Sequence, residues 1–148
     1  MDAKKFLNQL KKLDKMIENK LAEKERWKAI ATGTTAPIGG DRVQSSGSKQ
    51  KMEDAVIRYV SIDKEIDEQI DKLVDTRQEI ISVIERLNAT EYDVLHKIYV
   101  QYFTLYEVAD SYGNTYSWAT TVHGRALKQV QGILDARQAQ KEGDVNAV

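Results

Sequence analysis

A chain of 148 residues, 41% apolar and 30% charged with a net charge of −1, has room for one or two small domains. Its composition is that of long solvated helices, not of one large core. It contains no cysteine, which excludes disulfides, zinc–thiolate centres and thiol catalysis. No apolar run reaches membrane-spanning length, and the opening MDAKKFLNQLKKLDKMIENKL lacks the apolar stretch of a secretion signal, so a cytoplasmic protein is expected.

The first predicted element is a helix from Asp2 to about Ala31. Phe6, Leu10, Leu13, Ile17, Leu21 and Trp27 or Ala31 recur at steps of three and four along it. Residues 32–50 form a predicted flexible loop, because Thr32 to Ser48 holds the only proline and four of the eight glycines. Lys51 to Leu87 is the second long helix, with Met52, Ala55, Tyr59, Ile62, Ile66, Ile70, Leu73, Arg77, Ile80, Ile84 and Leu87 as its stripe. Both stripes are narrow, as in a coiled coil. Residues 1–31 carry nine Lys/Arg and five Asp/Glu, whereas residues 52–87 carry five and ten. Opposite charge favours pairing the two as an antiparallel hairpin over residues 1–87. The same complementarity also fits pairing between two chains, a homo-oligomer built through this half.

The third territory covers residues 88–137. Thr90 is the expected N-cap of a helix bearing Leu95, Ile98, Tyr99 and Tyr102. Thr104 and Glu107 form a T-x-x-E capping box that opens the next helix. That helix ends at Gly113, where a left-handed residue is needed to leave it. Thr115 or Ser117 caps the last helix, which continues through Val122, Ala126, Val130, Ile133 and Leu134. Residues 138–148 lack a stripe and are expected to fray.

Ala109, then Gly113, then Ala119 and Val122 have the spacing of a helix-turn-helix, with a small residue where two helices cross closely. The last three helices resemble the C-terminal DNA-binding region of bacterial sigma factors, region 4, with Arg125-Ala126-Leu127 in place of its R-A-L motif. Over nearly its full length the chain is similar to a family of small phage and prophage proteins of Gram-positive bacteria. The matching pieces are AKKFLNQLKKLDKMIENKL, TAPIGGDRVQSSGS, IDKEIDEQIDKLVD, YDVLHKIYVQYFTLYEVA and HGRAL. That family is related to phage late-transcription regulators, and its activity is inferred from its helix-turn-helix. The resemblance implies a regulator of phage transcription in the host cytoplasm. The family pattern also places cations near positions 117 and 121, where this chain has Ser117 and Thr121.

In that fold Thr115, Tyr116, Ser117, Thr120, Thr121 and Gly124 face the DNA groove, and Arg125 and Lys128 reach phosphates. Residues 88–135 hold only three Lys/Arg (Lys97, Arg125, Lys128) against five Asp/Glu, a weak charge for a free-standing DNA binder. Trp118 reads as a packing residue, and Tyr116 as either packing or contact. His96 and His123 stand alone, without a second ligand at metal spacing. The row Asp63, Asp67, Asp71, Asp75 reads as a solvated or partner-facing surface, not a metal site. No nucleophile–base motif or phosphate loop is present, and neither enzyme activity nor a cofactor is expected. Arg42, Lys49 and Lys51 add positive charge around the loop, which gives it a second reading as a docking segment.

The resulting expectation is an all-α protein: a long two-helix coiled-coil hairpin, then a three-helix helix-turn-helix module. Its expected role is a DNA-binding regulator of transcription, with RNA polymerase or a second copy as helper. Two alternatives remain, a coiled-coil interaction protein and a DNA-packaging recognition subunit.

Overall fold

The computed structural model describes residues 1–33 and 46–146, and among them every regular element is helical. In order these are α1 (Ala3–Leu7), α2 (Gln9–Ala31), α3 (Ser46–Ile84), α4 (Ala89–Leu95), a π-helical turn (His96–Val100), α5 (Leu105–Ser111) and α6 (Tyr116–Asn146). The described helices contain none long and apolar enough to cross a membrane. Two compact units divide the chain, one of residues 13–73 and one of residues 1–12 with 74–148. The division expected from sequence fell instead at residue 87.

In the first unit α2 pairs with α3. Lys20 Nζ donates to Glu65 at 3.0 Å, Lys24 Nζ to Asp63 at 2.6 Å, and Arg58 Nη2 to Glu23 at 3.3 Å. Partner numbers fall along α3 as they rise along α2 from Lys20 to Lys24, so the helices run antiparallel. Such exposed pairs contribute little each and chiefly favour one alignment. Leu13, Ile17, Ala55, Ile62 and Ile66 are the buried apolar residues beneath them.

The seams differ from the expected stripes in the same way on both helices. On α2 the row runs Leu10, Leu13, Ile17, Lys20, Lys24, Trp27, Ala31, and Leu21 is 45% exposed. On α3 it runs Ala55, Tyr59, Ile62, Ile66, Gln69, Leu73, Thr76, Ile80, Val83, while Ile70 and Arg77 point to solvent. Both rows keep alternating steps of three and four, the register of a coiled-coil seam. Lys20 and Lys24 hold seam positions because an aliphatic stem can lie along the partner while the ammonium reaches an edge carboxylate.

In the second unit α1 lies on α6: the Ala3 N–H donates to Gln131 Oε1 at 2.8 Å, and Ala3, Phe6 and Leu7 are buried. The single helix expected from Asp2 to Ala31 is interrupted at Asn8, which caps α1 at φ −75°, ψ −5°. Asn88, not Thr90, caps α4, accepting from the Glu91 N–H at 2.9 Å; Thr90 lies inside the helix. Tyr102 does not extend that helix either, for the π turn ends it and Tyr102 takes a left-handed φ of +63°. Helix α6 continues to Asn146, so residues 138–146 are helical where fraying was expected. Side-chain pairs such as Gln138 to Glu142 at 3.0 Å support that extension. Helix α3 begins at Ser46, inside the span expected as loop, and the remainder of that expectation (residues 34–45, Arg42 among them) lies outside the described residues.

Candidate nucleic-acid interface

The site grows out of how α5 hands the chain to α6. Thr104 caps α5 in a reciprocal box: its Oγ1 accepts from the Glu107 N–H and Glu107 Oε1 accepts from the Thr104 N–H, both at 3.2 Å. Val108 and Ala109 then turn inward against Val94, Ala119 and Val122. Ala109 is 4% exposed within this cluster.

The exit is a left-handed helix stop. Gly113 has φ +59°, and the Asn114 N–H returns to the Ala109 carbonyl at 2.9 Å. Two residues on, Thr115 Oγ1 accepts from the Trp118 N–H at 3.1 Å and starts α6. Trp118 is half-buried and tilted against Tyr112, with ring centres 4.9 Å apart. Tyr112 in turn donates its hydroxyl to Asp93, which Lys97 holds through both oxygens at 2.8 Å. This chain of contacts locks the α5–α6 angle onto α4. Burial together with the Asp93 hydrogen bond pushes the Tyr112 hydroxyl up to about 12. Burial opposes ionisation of Asp93, but the hydrogen bonds from Lys97 and Tyr112 outweigh it and hold its carboxyl below the usual range.

Helix α6 buries Ala119, Val122, Ala126 and Val130. At about 100° per residue the opposite row is Ser117, Thr121, Gly124 and Lys128, and all four are exposed. Thr120 and Arg125 flank it, the former half-buried and the latter exposed. Thr115 and Tyr116 stand exposed at its head. The seven sequence-predicted residues therefore gather on one end and one side of α6. Their chemistry is narrower than the residue types suggest. Thr120 and Thr121 both donate their hydroxyls to the Ser117 carbonyl, at 2.8 and 2.9 Å. Their hydroxyl hydrogens are thus engaged within the helix. What Thr121 offers outward is its methyl and an acceptor oxygen.

Two features escaped the sequence reading. Tyr116 stacks on Tyr106, with centres 4.3 Å apart and planes 20° off parallel, although the two rings are 43% and 66% exposed. A tyrosine on each side of the turn is its only trace in the sequence, and spacing alone does not pair the two. Arg125 lines a surface cleft of about 300 Å³ with Asn88, Thr90, Glu91 and Trp118. The N-x-x-E spacing of Asn88 and Glu91 marks that helix start better than Thr90 does.

The two histidines have structural partners. His123 Nε2 shares a hydrogen with the Tyr99 hydroxyl at 2.7 Å, and burial, then the nearby Lys4, lowers its pKa. His96 Nδ1 bonds the Gln101 side chain at 2.8 Å, and burial, then Arg77, lowers it likewise. Among the described residues no three His, Asp or Glu side chains are grouped to hold a metal ion. Comparison with protein-family models, curated proteins and solved structures finds no match to this chain.

Proposed function

We propose that this protein is a DNA-binding transcriptional regulator, with α5 and α6 acting as a helix-turn-helix behind a two-helix coiled-coil hairpin. The observation that carries the reading is the outward row of α6. Ser117, Thr121, Gly124 and Lys128 are exposed and small or cationic, opposite a row that is fully buried. Gly124 has no heavy atom within 4 Å of where a Cβ would sit, so nothing inside the fold requires a glycine there. A helix that must lie deep in a major groove benefits from such a low profile. Thr121 then meets base edges through its methyl, Ser117 through its hydroxyl, and Lys128 and Arg125 neutralise phosphates. The phage or prophage origin, and action in the bacterial cytoplasm, rest on the sequence resemblance. No catalytic role is assigned.

Charge shapes the mechanism. Lys97 is already committed to Asp93, which leaves Arg125 and Lys128 as the exposed cations of residues 88–135. Two phosphate contacts give weak affinity. A second copy, or tethering by RNA polymerase, raises the effective concentration enough to offset it. The same poverty of charge favours a second reading, a helical interaction protein whose α5–α6 unit does not read DNA.

Sheared host and phage DNA, captured by the purified protein at low and physiological salt and then sequenced, separates the two. Enrichment of a few sites upstream of genes is expected of the regulator. A smooth background that vanishes with salt would leave the interaction protein.

A further inference from the structure

Helix α3 carries a second apolar row beside the one it turns toward α2. Met52, Val56 and Val60 are 40%, 48% and 61% exposed, and Ile57 beside them is 68% exposed. Steps of four place the first three on one strip of the helix, about a quarter-turn from Ala55, Tyr59, Ile62 and Ile66. Single exposed apolar residues are ordinary, but four within nine positions on one helix form a patch that marks an interface.

The charges around the patch say what covers it. Lys49 lies seven residues before Val56 and Asp63 seven residues after it, two turns away on the same strip. Met52 and Val60 lie four before and four after. The pattern is therefore self-complementary about Val56. Turned end for end, a second α3 sets Val56 against Val56, Met52 against Val60, and Lys49 against Asp63 twice. A parallel copy would instead oppose lysine to lysine and aspartate to aspartate, which is unfavourable. Asp63 uses Oδ1 for Lys24 within its own chain, and its other oxygen remains to accept from an incoming lysine.

We propose that this strip of α3 is where two copies of the chain associate, antiparallel and with Val56 on the two-fold axis. The inference deepens the regulator reading, since a dimer doubles the α6 helices offered to DNA. Its test needs no DNA, so the two can fail separately.

Sedimentation velocity on the full chain across the micromolar range is expected to show a reversible dimer. Val56→Glu should weaken it by roughly tenfold or more, because it opposes two like charges on the axis. Lys49→Glu should weaken it as well, without loss of helical circular dichroism in either variant. Because the chain lacks cysteine, Val56→Cys supplies a sole thiol, which should oxidise to a covalent dimer. Glu68→Cys, on a different side of α3, should not. A monomer at every concentration overturns the proposal and leaves the strip to a different protein. A dimer indifferent to Val56→Glu, or cross-linked equally from position 68, overturns it as well.

Discussion

Gly113 and Gly124 are eleven residues apart, and each would meet empty space if given a Cβ, yet substitution should act oppositely at the two. Gly113 sits at φ +59°, a conformation that costs an L side chain about 1–2 kcal/mol, so Gly113→Ala should lower stability by that amount. Gly124 lies in regular helix, where alanine is preferred by roughly 0.5–1 kcal/mol, so Gly124→Ala should stabilise the fold. If α6 enters a DNA groove, the added methyl should weaken DNA binding in the same variant. Urea unfolding and DNA titration on Gly124→Ala read the two effects side by side. Stability gained with DNA affinity unchanged would place Gly124 outside the interface.

Gln69 shows what the helical seams are for. Its Oε1 is buried and finds no hydrogen-bond partner, and its neighbours along the row are Ile66 and Leu73. An unsatisfied buried acceptor costs about 1–3 kcal/mol, so Gln69→Leu should raise the urea midpoint by a corresponding amount. No gain would mean that the amide already has a partner in solution. A polar side chain in a seam penalises every other alignment too, a register device known from coiled coils. On α6, Arg125→Ala with Lys128→Ala should reduce the slope of log affinity against log salt by roughly two. An unchanged slope would remove both from any phosphate contact. Much of this was legible in the sequence. The T-x-x-E box of α5, the glycine exit at position 113 and the inward Ala119 and Val122 lie where their spacing put them. The two misplaced apolar seam residues share one cause, the competition of hydrophobicity with periodicity. Leu21 and Ile70 are apolar and drew the stripes toward themselves, while the strict register passes through Lys20, Lys24, Gln69 and Thr76. The stacking of Tyr106 on Tyr116 was not legible, because it depends on the angle between two helices and not on spacing within one.

The titrating groups together give the protein a plateau of stability. Burial lowers both His96 and His123, so the unfolded chain takes up their protons first, and stability should decline as pH falls below about 6.5. Glu65, held down by the Lys20 hydrogen bond, and Asp93 add a second loss below about pH 4, as each is protonated. In alkali the sign reverses in origin but not in effect. Tyr99, raised by burial, and Tyr112 both stand at about 12, so the unfolded tyrosines ionise first and stability should fall above about pH 10. Melting temperature should therefore be nearly flat from about pH 7 to 9.5 and drop on either side. His123→Gln, which still offers the Tyr99 hydroxyl an acceptor, should shrink the first acid step; an identical step would assign it elsewhere.

The bond from the Ala3 N–H to Gln131, spanning 128 residues, also sets a timetable. Residues early in the sequence are thus buried against a helix more than a hundred residues later. During synthesis Ala3, Phe6 and Leu7 emerge well before the α6 residues that cover them in the fold, whereas α2 finds α3 as soon as the latter emerges. Closing so long a loop is slow compared with local pairing. Helix α1 is therefore expected to be among the last parts to fold, and until α6 is complete its apolar side chains stand open to chaperones and to neighbouring chains.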